Sequence, residues 1–272
     1  MWNDIQKREA VELHGVSPDR IAVTGAARFD DFYELQPSTT REEFCAAAGL
    51  ASSRPFILYG CSSPFVAPRE VEFVRRWIDE IRKSSDPLVT SAGVLVRPHP
   101  AHEDQWKDAA FGDVDNVAIW RLPSTMNADQ GLYDSLYHAS ALVGLNTSAM
   151  LEASIVGRPV LTLMAPEFTG GQAQTLHFQY LRRENGGAVV VAADFDEHRK
   201  HLAYAVNFPE KLGKRSSKFA TSFLRPNGPY RRVDRFVVDE LEQAAVIRKR
   251  PRLTAPWQLP VRWALRLLPG VR

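Results

Sequence analysis

The sequence predicts an α/β protein built on a doubly wound parallel sheet of about six strands, flanked by helices. Three observations carry that expectation. Short apolar segments without polar alternation recur along the chain, as strands covered on both faces require. Helical segments separate them, giving a βαβα order. The connections between them are short, as in compact α/β units.

The chain opens with a helix over residues 2–14 that ends at Gly15. Arg20–Thr24 (RIAVT) has the composition of a short strand broken at Gly25, and Gln36–Thr40, with Pro37 and Ser38, reads as a linker. A short helix follows near Arg41–Ala48. Strands are then expected at Phe56–Tyr59, Gly93–Arg97, Asn116–Arg121, Ala141–Leu145, Pro159–Leu163 and Ala188–Ala192. Helices are expected at Pro68–Lys83, 101–110, Gln130–Ala139, Ser148–Val156, Gln172–Arg183, 195–206 and 209–223. In the first of these, Val71, Val74, Ile78 and Ile81 share one face. This is a Rossmann-like arrangement, and such sheets bind ligands outside the C-terminal ends of their strands.

Length and composition narrow the function classes. The 272 residues suffice for a proper core, and 44% hydrophobic with 24% charged residues is ordinary for a globular chain. No apolar run approaches the ~20 residues of a membrane span, and Met1–Arg8 lacks the apolar stretch of a secretory signal. Cys45 and Cys61 have no CxxC spacing, so a reducing cytoplasm is the expected compartment. The net charge is +2, yet Arg248, Lys249, Arg250, Arg252, Arg262, Arg266 and Arg272 all fall in a tail without acidic residues. The body is therefore acidic on balance, which argues against nucleic acid as a partner. The tail joins this charge to Trp257, Trp263, Leu265, Leu267 and Leu268. A helix there would place cations and Trp rings at an anionic membrane surface, making the protein peripheral to the inner face. The alternatives are that Trp257 and Trp263 pack on a further domain or that the tail is disordered.

Chemistry is sought at the strand ends. Gly60-Cys61-Ser62-Ser63 is a small-residue turn whose N–H groups could approach a phosphate, or simply a tight βα turn. Arg97-Pro98-His99-Pro100 presents a guanidinium and an imidazole on a stretch stiffened by two prolines, a pairing suited to pyrophosphate. His102 follows, but no third ligand at a recognisable spacing supports a metal, and none is expected. Asn146-Thr147-Ser148 opens a helix, where free N–H groups favour an anion, although one hydroxyl could serve only as an N-cap. Glu152 lies one turn inside and could accept two ribose hydroxyls. Phe168–Thr175, with Gly170 and Gly171, reads as a flexible polar loop able to close over a ligand.

These residues resemble a known group. Ala139–Thr162 (ASALVGLNTSAMLEASIVGRPVLT) is similar to the donor-domain signature of GT-B-fold glycosyltransferases. Relatives in that superfamily include CDP-glycerol glycerophosphotransferases and sugar-nucleotide 2-epimerases. Arg97–Pro100 resembles the His-Pro element of the glycerophosphotransferases and of several bacterial GT-B sialyltransferases. Arg20–Asp31 (RIAVTGAARFDD) is similar to the end of the acceptor domain in such enzymes. The resemblance covers roughly residues 1–245. It implies that Arg97, His99, Asn146, Thr147, Ser148, Ser62 and Ser63 contact donor phosphates, and that Glu152 binds the ribose. Arg121, Leu122 and Pro123 would then lie against the base. The implied reaction transfers a sugar or polyol phosphate from a nucleotide sugar or CDP-polyol, without cofactor, in cell-envelope or surface-polysaccharide synthesis.

The domain expectation follows. Residues 1–40 are a remnant of an acceptor domain with its linker, 41–247 the donor-binding domain and 248–272 a basic tail. Either the chain is a truncated or mis-started product or a partner chain supplies the rest of the acceptor domain, so the catalytic base is unassigned, with His99 the best candidate among the residues present. Two alternatives stand beside transfer: a sugar-nucleotide 2-epimerase, and a nucleotide-binding module without catalysis.

Overall fold

The computed structural model describes residues 1–109, 111–121 and 127–248. Its first part is helical. Helix α1 (Asp4–Glu12) starts where Asn3 accepts the Gln6 N–H, and α2 (Asp30–Glu34) is a single turn. Helix α3 (Arg41–Ala48) opens on a reciprocal capping box between Thr40 and Glu43, which satisfies two otherwise orphaned N–H groups. The sheet elements then alternate with helices: β1 (Phe56–Gly60), α4 (Glu70–Ile81), α5 (Pro87–Ser91), β2 (Gly93–Arg97), β3 (Val117–Ile119), α6 (Ala128–His138), β4 (Ala141–Val143), α7 (Ala149–Val156), β5 (Val160–Leu163), α8 (Leu176–Leu181), β6 (Val190–Ala192), α9 (Phe195–Asn207), α10 (Pro209–Leu224) and α11 (Val233–Arg248).

All five strand pairings are parallel, in the order β3-β2-β1-β4-β5-β6. This is the order of a dinucleotide-binding sheet, with its topological switch between β1 and β4. Successive strand residues point to opposite faces, and both faces are covered. Ile57, Tyr59, Val94, Val96, Val143 and Leu161 pack with Val74, Trp77 and Ile78 of α4 and Leu202 of α9. Phe56, Leu58, Leu95, Leu142 and Val160 pack with Phe44, Leu136, Met150 and Phe219 of the opposite layer. The near-continuous apolar strands follow from this two-sided burial.

The N-terminal segment is fastened to the end of α10. The Asn3 side chain donates to the Phe223 carbonyl at 2.9 Å. Asp30, 1% exposed, forms a 2.7 Å ion pair with Arg225, and its second oxygen accepts the Asp234 N–H at 2.9 Å.

Arg20–Thr24 is not a strand. Met1 donates to the Ala22 carbonyl and accepts from the Thr24 N–H, while Ala26 donates to Leu224. The segment is extended and apolar, but the sheet offers it no neighbour. The turn after β2 is a 3-10 helix, Pro100–Trp106, broken at His102, and not an α-helix over 101–110. Helix α11 is an addition to the expected elements: many of its residues are exposed, so no strong apolar face marks it.

Candidate functional site

The site is built at the switch point, where the chain leaves β1 and β4 side by side. A Cβ on Gly144 would stand 2.7 Å from the Gly60 carbonyl oxygen, so the two strand ends touch backbone to backbone. Only glycine permits that approach. Ser62, fully buried, accepts the Asn146 N–H on its hydroxyl at 3.4 Å, which ties the two turns together. The Asn146 side chain then donates to the Gly171 carbonyl at 2.7 Å. Ser62 and Asn146 are thus joined in a buried framework between the two strand ends. Ser63 stays partly exposed at the rim.

Helix α7 begins beside this framework with no side-chain cap. Thr147 Oγ1 accepts a long bond from the Ala149 N–H at 3.4 Å, and Ser148 caps nothing. The Met150 and Leu151 N–H groups bond the Thr147 and Ser148 carbonyls at 3.2 and 2.8 Å, and the positive dipole end of the helix favours an anion beside it. Thr147 and Ser148 line a cleft of about 270 Å³ together with Arg28, Phe29, His177 and Tyr180.

Glu152 sits one turn further in, 7% exposed. Its Oε1 lies 3.9 Å from the Arg28 guanidinium, and its Oε2 is buried with no hydrogen-bond partner among the described residues. Burial pushes its carboxyl up to about 6, against the opposing pull of Arg28. A buried carboxylate oxygen normally has a partner.

The Arg97–Pro100 segment divides. The Arg97 guanidinium donates to Ser135 Oγ at 3.2 Å and to the Ala128 carbonyl at 3.1 Å, and it stacks 5.7 Å from the Trp120 ring centroid. It pins the end of β2 to the start of α6, and burial lowers it to about 10. His99 accepts the Ala101 N–H on Nδ1 at 3.1 Å, which places the proton of the neutral ring on Nε2. Burial lowers its pKa, so at neutral pH it offers one Nε2–H donor. Arg121 is exposed beyond β3. Leu122 and Pro123 lie outside the described residues, as does the tail beyond Arg248.

The loop after β5 is anchored, contrary to the flexible segment its composition suggests. Gln172, fully buried, donates to the Leu145 and Leu163 carbonyls at 3.0 Å each and accepts the Ala165 N–H at 3.0 Å. A Cβ on Gly171 would collide with the Val66 backbone at 2.7 Å.

Two further residues belong to the site. Arg28 supplies the cation nearest Glu152; its only signal was the Arg-Phe-Asp run that carried part of the resemblance. Glu70, at the start of α4 and fully buried, accepts the Ser62 N–H at 2.8 Å and the Tyr59 hydroxyl at 3.1 Å. An acidic residue at a helix start is so ordinary that no pattern marked it. Among the described residues no cluster of three His, Cys, Asp or Glu side chains could hold a metal ion, and no helix is long and apolar enough to cross a membrane.

No family model matches the sequence, and no curated protein matches it. Solved structures do match. The UDP-GlcNAc 2-epimerase from Neisseria meningitidis, bound to UDP-GlcNAc, superposes with a TM-score of 0.57 at 15% identity, covering 89% of this chain and 60% of that one. A glycosyltransferase from Rickettsia africae ESF-5 gives 0.52 at 13% identity, over 91% and 62%. The wall teichoic acid polymerase TagF gives 0.52 at 14% identity, over 89% and 57%. The chain thus has the fold shared by GT-B glycosyltransferases and UDP-GlcNAc 2-epimerases. It spans less than two thirds of the length of the solved structures it matches.

Proposed function

We propose that this chain is the donor-binding half of a GT-B-like glycosyltransferase, transferring a sugar or polyol phosphate from a nucleotide-activated donor in cell-envelope or surface-polysaccharide synthesis. The observation that carries the reading is the orphaned, buried oxygen of Glu152, one turn inside an uncapped helix at the switch point. A nucleoside diphosphate satisfies both features at once. Its phosphates meet the start of α7 with Thr147 and Ser148, and its ribose hydroxyls donate to Glu152. His99 Nε2–H adds a neutral donor from the β2 end and Arg97 adds charge at longer range, while Arg121 stands toward the base. Charge developing on the departing diphosphate is met by these fixed dipoles and cations.

On this reading residues 1–40 belong with an acceptor domain and 41–247 form the donor domain. The basic tail, 248–272, rests on the inner face of the membrane. Calorimetric titration with UDP, CDP and GDP tests the site. One diphosphate should bind, and Glu152→Ala should weaken it at least tenfold, the equivalent of about 1.5–3 kcal/mol for a charged hydrogen bond. Equal binding by wild type and variant would overturn the assignment of Glu152.

A second reading, epimerisation of a sugar nucleotide, is favoured by the superposition on the Neisseria meningitidis enzyme. Product analysis with UDP-GlcNAc separates the two. An epimerised sugar nucleotide supports the second reading; transfer to an added acceptor supports the first.

A further inference from the structure

We infer that Glu70 is a positioning residue for the donor-phosphate site, the hub of a partly buried polar relay that holds the loops after four strands in register. The inference rests on the donor-site reading above.

The relay can be followed bond by bond. Gly171, after β5, accepts from the Asn146 side chain at 2.7 Å, and the Asn146 N–H reaches Ser62 Oγ at 3.4 Å. The Ser62 N–H donates to Glu70 Oε2 at 2.8 Å. The Glu70 N–H donates to Gln105 Oε1 at 3.0 Å, and the Gln105 amide nitrogen bonds the His102 ring. His102 in turn donates its own N–H to the His99 carbonyl at 2.8 Å. Loops following β5, β4, β1 and β2 are therefore linked in one hydrogen-bonded chain, in which Glu70 holds the β1 turn by its carboxylate and the β2 loop by its backbone N–H.

The choice of a carboxylate has a reason. Tyr59 O–H and Ser62 N–H both donate to it, from different sides. Among side chains of this reach only a carboxylate has two oxygens that both accept. An amide would turn an NH2 group toward one of the donors. Burying a carboxylate among neutral donors is costly, and a capping role alone would be met by Ser or Asn at less expense. Burial pushes the Glu70 carboxyl up to about 7. The titratable groups facing it are Tyr59 of β1 and Cys61 just after it, both held well above their ordinary values, and His102 across Gln105.

The test uses the full chain and two readouts. Without nucleotide, the amide resonances of Ser62 and Asn146 are followed from pH 5 to pH 8 in wild type and Glu70→Gln, with the His102 ring protons monitored separately. In wild type both amides should titrate together near neutral pH; in the variant that step should be absent. Unchanged amides, or identical profiles in the two proteins, overturn the relay. Nucleoside diphosphate binding is then measured at pH 8 for wild type, Glu70→Gln and Glu70→Leu. Glu70→Gln should bind about tenfold more weakly, the scale of one charged hydrogen bond, with a native melting transition. Glu70→Leu should bind more weakly still. Wild-type affinity in Glu70→Gln overturns the positioning role. Coupled amides in a wild type that binds no nucleotide would instead overturn the donor-site reading and leave the relay standing.

Discussion

Two buried carboxylates in this chain have opposite surroundings. Asp30, in the clamp between the N-terminal segment and α10, is bonded on both oxygens: Arg225 at 2.7 Å on one and the Asp234 N–H at 2.9 Å on the other. Glu152, on α7, has its nearest cation at 3.9 Å and one oxygen with no partner among the described residues. A satisfied buried charge is a structural element, because removing either partner strands the other. An unsatisfied one is a standing cost to the fold, and its retention is reasonable where a ligand completes it. The difference between clamp and site is thus a difference in completed valence more than in burial.

The comparison can be broken at either carboxylate. Asp30→Ala should have the largest effect on stability, about 3–5 kcal/mol, since it leaves Arg225 buried without its counter-charge. Urea denaturation measures it, and a loss under 1 kcal/mol would mean that the clamp is dispensable.

Glu152 predicts the opposite sign. Its carboxyl is held at about 6 in the folded chain against an ordinary value of 4.5. Between those values the folded state binds more protons than the unfolded one, so stability falls as pH rises. The penalty is absent below 4.5, complete above about 6, and on the order of 2 kcal/mol at 1.36 kcal/mol per unit. Glu152→Gln should remove that slope and leave the protein no less stable at pH 7. Denaturation midpoints at pH 4.5 and pH 7 for both proteins decide it. A steeper slope in the variant would show that the carboxylate is already satisfied.

The smallest effect belongs to Arg28, whose side chain is 59% exposed beside Glu152. Arg28→Ala should change stability by less than about 0.5 kcal/mol, as exposed pairs do. It should also raise the Glu152 pKa further, read as a shift of the pH midpoint to higher values. An unmoved midpoint would show that Arg28 does not act on Glu152.

Much of the frame was readable in advance, for local reasons. Arg41–Ala48 carries its capping box in the sequence, and Gly93–Arg97 is an apolar run whose limits match the observed strand. Asn146–Glu152 was found because a strand end followed by hydroxyl residues and a helix is a local pattern. What escaped depends on partners far along the chain. Arg20–Thr24 has strand composition, but its backbone bonds go to Met1 and other non-sheet groups. Arg97 looks alike in sequence whether its guanidinium faces a ligand or, as here, Ser135 and Trp120. Glu70 acquires its role only when the turn after β1 folds back over the start of α4.

The strand order has a consequence for how the site comes into being. Every other pair in the sheet joins strands consecutive in sequence, whereas Ile57 pairs with Ala141 across two intervening strands and their helices. Closing that seam requires the longest loop in the sheet, and distant pairings of this kind slow folding. The crevice proposed to receive the donor is therefore the part of the sheet whose assembly is entropically most demanding. Until it closes, each half presents an open parallel edge to its neighbours in solution, and such edges invite aggregation. A ligand bridging the β1 and β4 turns would act on this protein as an assembly factor as well as a substrate, holding shut the one junction that chain connectivity does least to secure.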